Sequence, residues 1–124
     1  MTYKLNVTKK STYLHVIVTG HLSKENVVRY FEEIHRECTA RDCFRILIEE
    51  RLEGPRLSVA AIYELVSEES DKSRGLFEAI AYINVNDEGD SMKFFENVAV
   101  NRGFPVRVFS TLANAEKWLL NKSR

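Results

Sequence analysis

The C-terminal stretch constrains the fold most. Phe104-Pro105-Val106-Arg107-Val108-Phe109 alternates as a short strand, and Ser110 and Thr111 then open a helix from Leu112 to about Asn121. Upstream, Asp90 to Arg102 has helical spacing and is stopped by Gly103, which takes the left-handed conformation at little steric cost. A helix, a glycine stop, a strand and a capped helix in direct succession each carry one apolar face that needs a partner layer. This is the signature of a layered α/β domain.

The remainder of the chain repeats the theme. Tyr3, Leu5 and Val7 alternate with Lys4, Asn6 and Thr8, the period of a half-buried strand. After the Lys9-Lys10-Ser11 turn, Tyr13–Thr19 carries apolar groups on both faces, so the two segments form an antiparallel hairpin whose second strand lies deeper. Gly20 is expected to end that strand and Ser23 to cap a helix with Val27, Phe31, Ile34 and Cys38 on its inner stripe. Phe44–Ile48 is expected as a short buried strand, and Glu49 to Arg56 as a charged, solvated loop. Ser58 then caps a helix with Ala61, Ile62, Leu65 and Val66 inward, fading at Ser67–Asp71. Phe77–Val85 alternates as a long strand, and its alanines, Ala79 and Ala81, predict a closely packed helix. Phe95, Val98 and Ala99 turn inward from the next helix, and Leu112, Ala115 and Leu119 from the last, with Trp118 near the stripe's edge. The order β-β-α-β-α-β-α-β-α predicts a mixed sheet of about five strands with an antiparallel N-terminal hairpin and four helices.

The 124 residues fit one domain, 1–124, with enough chain for a single core. Lys+Arg and Asp+Glu both total 18, so no net field draws the protein toward nucleic acid or anionic lipid. The N-terminus reads as a strand rather than a secretory leader, no apolar run is long enough to cross a bilayer, and Cys38 and Cys43 are expected as free thiols. A cytoplasmic location is the corresponding expectation.

Asn101-Arg102-Gly103-Phe104-Pro105-Val106-Arg107-Val108-Phe109-Ser110, followed by Leu112, Ala115, Trp118 and Leu119, resembles the C-terminal end of bacterial STAS-like proteins. With the element order, it is similar to the small SpoIIAA-like (STAS) domains of the anti-sigma-factor-antagonist type over nearly the whole chain. That resemblance implies a SpoIIAA-like fold and a non-enzymatic regulatory or protein-binding role. It also implies kinship with CRAL-TRIO-type carriers of lipids. Antagonist domains place a phosphorylatable serine in an Asp-Ser-Ser-Gly-like loop at the start of the helix after the central strand. Ser58 stands at roughly that place here, without the Asp-Ser and Ser-Gly neighbours.

Candidate chemistry centres on the segment after the central strand, where open α/β sheets tend to place ligands. Ser58 at a helix N-terminus, with Arg56 and Glu50 nearby, is the candidate phosphoacceptor or ligand loop; as a cap alone, Ser58 contributes about 1 kcal/mol. Glu49 and Glu50 are adjacent and face opposite ways on an extended segment, so they do not form an acid/base pair. His35, Cys38 and Cys43, with His21, have poor metal-ligand spacing, and Cys38 falls on an apolar stripe. Asn84–Gly89 imitates the opening of a calcium loop, but Phe95 stands where the bidentate carboxylate belongs. No nucleophile elbow or glycine-rich phosphate loop is present. Phe94 and Phe95 cannot both face the core, so one is a candidate interaction surface. The expectation is therefore a cofactor-free, metal-free, non-enzymatic module with a protein partner, a second copy of itself, or a small apolar ligand in a cavity lined by Phe77, Tyr82 and Phe95.

Overall fold

A computed structural model describes residues 2–84 and 90–121. Its elements are β1 (Tyr3–Lys9), β2 (Leu14–His21), α1 (Lys24–Arg41), β3 (Arg45–Glu53), α2 (Val59–Lys72), β4 (Ala79–Asn84), α3 (Asp90–Asn101), β5 (Val106–Phe109) and α4 (Leu112–Asn121). The strands form one sheet in sequence order, β1-β2-β3-β4-β5. β1 and β2 pair antiparallel, and β2 through β5 run parallel. The element order and the mixed sheet are those expected.

Sequential crossovers place α1, α2 and α3 on one face. Their Val27, Phe31, Leu65, Val66 and Ala99 pack on Val16, Val18, Ile46, Ile48 and Ile80 in the larger core. Only α4 reaches the other face, where Ala115 and Leu119 lie on Leu47, Ala79, Ala81 and Ile83. The small β4 side chains let that helix approach, as their spacing predicts. Thr111 Oγ1 caps α4 by accepting from the Asn114 amide at 3.2 Å, and Gly103 ends the α3 turn at φ +77°.

Four local expectations are corrected. Gly20 does not end β2; it pairs with Tyr3 at φ +127°, where an added Cβ would lie 2.5 Å from the Thr2 carbonyl oxygen. Glu49–Glu53 is not a loop but the second half of β3, paired with β2 as far as His21 and with β4 as far as Asn84. The charges there are compatible with a strand because Glu49 and Arg51 pair with each other on one face, Glu50 is hydrogen-bonded on the other, and Glu53 is exposed. The α2 helix does not fade at Ser67 but runs to Lys72, and buries Glu69 and Ser70. Leu112 is 43% exposed rather than buried; α4 reaches the core through Ala115 and Leu119.

Candidate functional site

Period-two geometry sorts β3 into two sets. Ile46, Ile48, Glu50 and Leu52 face α1–α3, while Leu47, Glu49 and Arg51 face the α4 side. The two glutamates thus do point oppositely, but both are buried rather than solvated. On the α4 side, Glu49 accepts from Arg51 Nη2 at 2.6 Å and pairs with His15 Nε2 at 2.7 Å. Burial alone would raise its carboxyl; the hydrogen bonds from Arg51 and His15 outweigh burial and hold it below the usual range.

Glu50 lies on the other side, at the floor of a cavity of about 120 Å³ between the sheet and the three helices. It is 3% exposed. Its Oε1 accepts from Asn84 Nδ2 of β4 at 2.8 Å, and its Oε2 accepts from the Tyr30 hydroxyl of α1. Burial first, and then the Glu50 charge, push the Tyr30 phenol well above its ordinary value, so Tyr30 remains a donor. Tyr82, which hydrogen-bonds Tyr30, forms the next part of the wall, with the Phe95 ring 5.0 Å from its own.

The opposite wall comes from α2. Ile62, Leu65, Val66 and Glu69 line the cavity from one helical stripe. Glu69 is 3% exposed, and its Oε2 accepts no hydrogen bond. Lys72 Nζ stands 3.8 Å from that oxygen, close enough for an ion pair but too far for a hydrogen bond. Burial pushes the Glu69 carboxyl up to about 6; Lys72 opposes the rise, and Glu32 and Glu68 add to it. Leu22, Gly54, Arg56 and Leu57 complete the lining from the loops at the C-terminal ends of β2 and β3.

The candidate residues are therefore separated by the structure. Glu50 and Arg56 line the cavity. Ser58 is exposed beside the lining residue Leu57 and caps α2, its Oγ accepting from the Ala61 amide at 3.1 Å. Phe94 and Phe95 are both half-buried, and Phe95 belongs to the cavity wall. Tyr82 and Phe95 line the cavity as expected of an apolar pocket. Phe77 does not; it packs edge-on against His35 and Phe104 instead. Tyr30, Asn84 and Glu69 escape the sequence reading, although helical spacing from Leu65 and Val66 carries the inner stripe on to Glu69.

The cysteine and histidine positions are equally plain. Cys38 is fully buried, and burial pushes its thiol up to about 12. His35 Nε2 lies 2.7 Å from Ser73 Oγ. Among the described residues, no group of three or more metal-ligating side chains gathers, and no helix is long and apolar enough to cross a membrane. Residues 85–89 of the calcium-loop imitation lie outside the described residues.

No family model matches the chain, and no curated protein does. Among solved structures, the chain is similar to an uncharacterized protein of the DUF3478 family from Shewanella loihica PV-4, described as having a SpoIIAA-like fold. The TM-score is 0.57 at 18% identity, over 95% of this chain and 94% of that one. The chain has the SpoIIAA-like fold that its C-terminal segment suggested.

Proposed function

We propose that the protein is a non-enzymatic binding module that holds a small, largely apolar ligand between the sheet and α1–α3. The cavity carries this reading: apolar walls enclose a buried carboxylate, Glu50, fixed by Tyr30 and Asn84. Few polar groups set among apolar and aromatic walls is the usual composition of a ligand site. Its position beyond the C-terminal ends of parallel strands is where α/β sheets commonly bind ligands.

Size narrows the ligand. An apolar cavity of about 150 Å³ accepts benzene, so about 120 Å³ encloses a group of roughly that bulk or less. A long acyl chain does not fit inside; a longer ligand must emerge past Gly54 and Arg56. Native mass spectrometry of freshly purified protein tests the reading, with a small bound mass expected and its loss expected in Leu65→Trp. A clean unliganded mass, with no uptake from a panel of small apolar compounds, would count decisively against it.

One observation favours a protein-binding role as a second reading. Val59 and Tyr63, one turn apart on α2 beside Ser58, are 63% and 46% exposed, an apolar pair suited to contact with a second copy of the chain. Light scattering across a concentration series tests this: a dimer dispersed by Tyr63→Glu supports it, and a monomer throughout rejects it.

A further inference from the structure

The identity of the ligand follows from what the cavity wall lacks. Among the described residues that line it, the carboxyls are Glu50 on β3 and Glu69 on α2, and the basic group is that of Arg56, an exposed residue at the rim. Glu69 Oε2 is buried and accepts no hydrogen bond, with Lys72 held off at 3.8 Å. A buried carboxylate oxygen without a hydrogen bond, its counter-charge held at that distance, is destabilising and favours the approach of a closer cation. Around these carboxyls stand the rings of Phe31, Tyr82, Phe95 and Phe104. Aromatic faces carry negative potential and attract organic cations, most strongly where water is excluded. Carboxylates and aromatic faces in one small, largely apolar space are the combination that recognises an alkylated ammonium group.

Resting on the ligand-binding reading above, we infer that the cavity takes a compact organic ammonium ion, its charge between Glu69 and Glu50 and its alkyl groups against Phe31, Tyr82, Phe95 and Phe104. The ligand sets a positive charge against the lone oxygen of Glu69, nearer than Lys72 comes. Apolar neutral molecules fill the same volume but leave that oxygen alone. Anions meet the carboxyls of Glu50 and Glu69.

Three probes of matched shape separate these cases: choline, its uncharged isostere with carbon in place of nitrogen, and trimethylacetate. Titrations followed by amide chemical shifts and calorimetry should show choline binding about tenfold more tightly than the isostere, the order expected for a desolvated cation–π contact. Trimethylacetate should bind more weakly still. Choline's charge is permanent, so any change of its affinity with pH reports the protein. Affinity should fall below about pH 6 as Glu69 takes up a proton. The charged groups that act on Glu69 are Lys72 and Glu68 on its own helix and Glu32 on α1, with Glu50 on the sheet across the cavity. Glu69→Gln should abolish the preference for choline over the isostere, and Glu50→Gln should reduce it, with both variants folded by circular dichroism. Equal binding of choline and isostere would overturn the cationic assignment and leave the apolar-ligand reading standing. Preferential binding of trimethylacetate, or no binding of choline, would also overturn it; the apolar-ligand reading is judged separately by the native mass.

Discussion

Replacing Glu69 by glutamine should make the protein more stable, and only on the alkaline side of its titration. The folded environment raises the carboxyl from 4.5 to about 6, so folding favours the protonated form. Its contribution is most favourable below the unfolded value of 4.5 and is lost as pH rises through about 6. At ~1.36 kcal/mol for each pH unit of displacement, the full cost of ionising it is about 2 kcal/mol. Solvent admitted through the cavity mouth screens part of this, which leaves ~1 kcal/mol as the expected gain. Glutamine keeps the shape and carries no charge to desolvate. Urea unfolding of both proteins should therefore give coincident curves near pH 4 and a gap of about 1 kcal/mol near pH 7.5. Other titrating groups are common to both proteins and cancel in the difference. A gap that is constant with pH, or a glutamine variant less stable throughout, would refute the account of Glu69 as an unsatisfied buried acid. A gain in stability with a loss of ligand selectivity is the trade expected where a group is retained for binding.

Other substitutions probe the frame around the cavity. Tyr30→Phe leaves the buried Glu50 one hydrogen bond short and should cost about 1–3 kcal/mol by chemical denaturation. Gly20→Ala should lower stability by ~2 kcal/mol or more in thermal melts, since the new Cβ meets backbone at 2.5 Å in a positive-φ conformation. Ser58→Ala removes the α2 cap and should cost about 1 kcal/mol, whereas Ser58→Asp retains a capping acceptor and should stay within a few tenths.

Local periodicity made most of the frame legible. Alternation in Tyr3–Thr8 gave the edge strand, Ala79 and Ala81 announced the close helix above them, and Gly103 marked the end of α3. Each signal lies within its own segment and needs no distant partner to be recognised. The cavity was harder because its members are partners across the sequence. Glu49-Glu50-Arg51 reads as a solvated loop until Tyr30 and Asn84 are seen to hold one glutamate and His15 the other. Glu69 reads as the polar end of a helix, although Ile62, Leu65, Val66, Glu69, Ser70 and Ser73 continue a single stripe. Likewise Ile46, Ile48, Glu50 and Leu52 continue a single strand face. Extending those two periods through charged residues would have placed both carboxyls in the interior. No feature within either segment says that the space between them is open.

The most direct test is an amide chemical-shift titration with small apolar and ammonium probes. Shifts should concentrate at Glu50, Leu65, Glu69 and Tyr82, saturate with one ligand bound, and vanish in Leu65→Trp. Shifts scattered over the outer face of α2 around Val59 and Tyr63, with those cavity amides unmoved, would contradict the binding role assigned to this space.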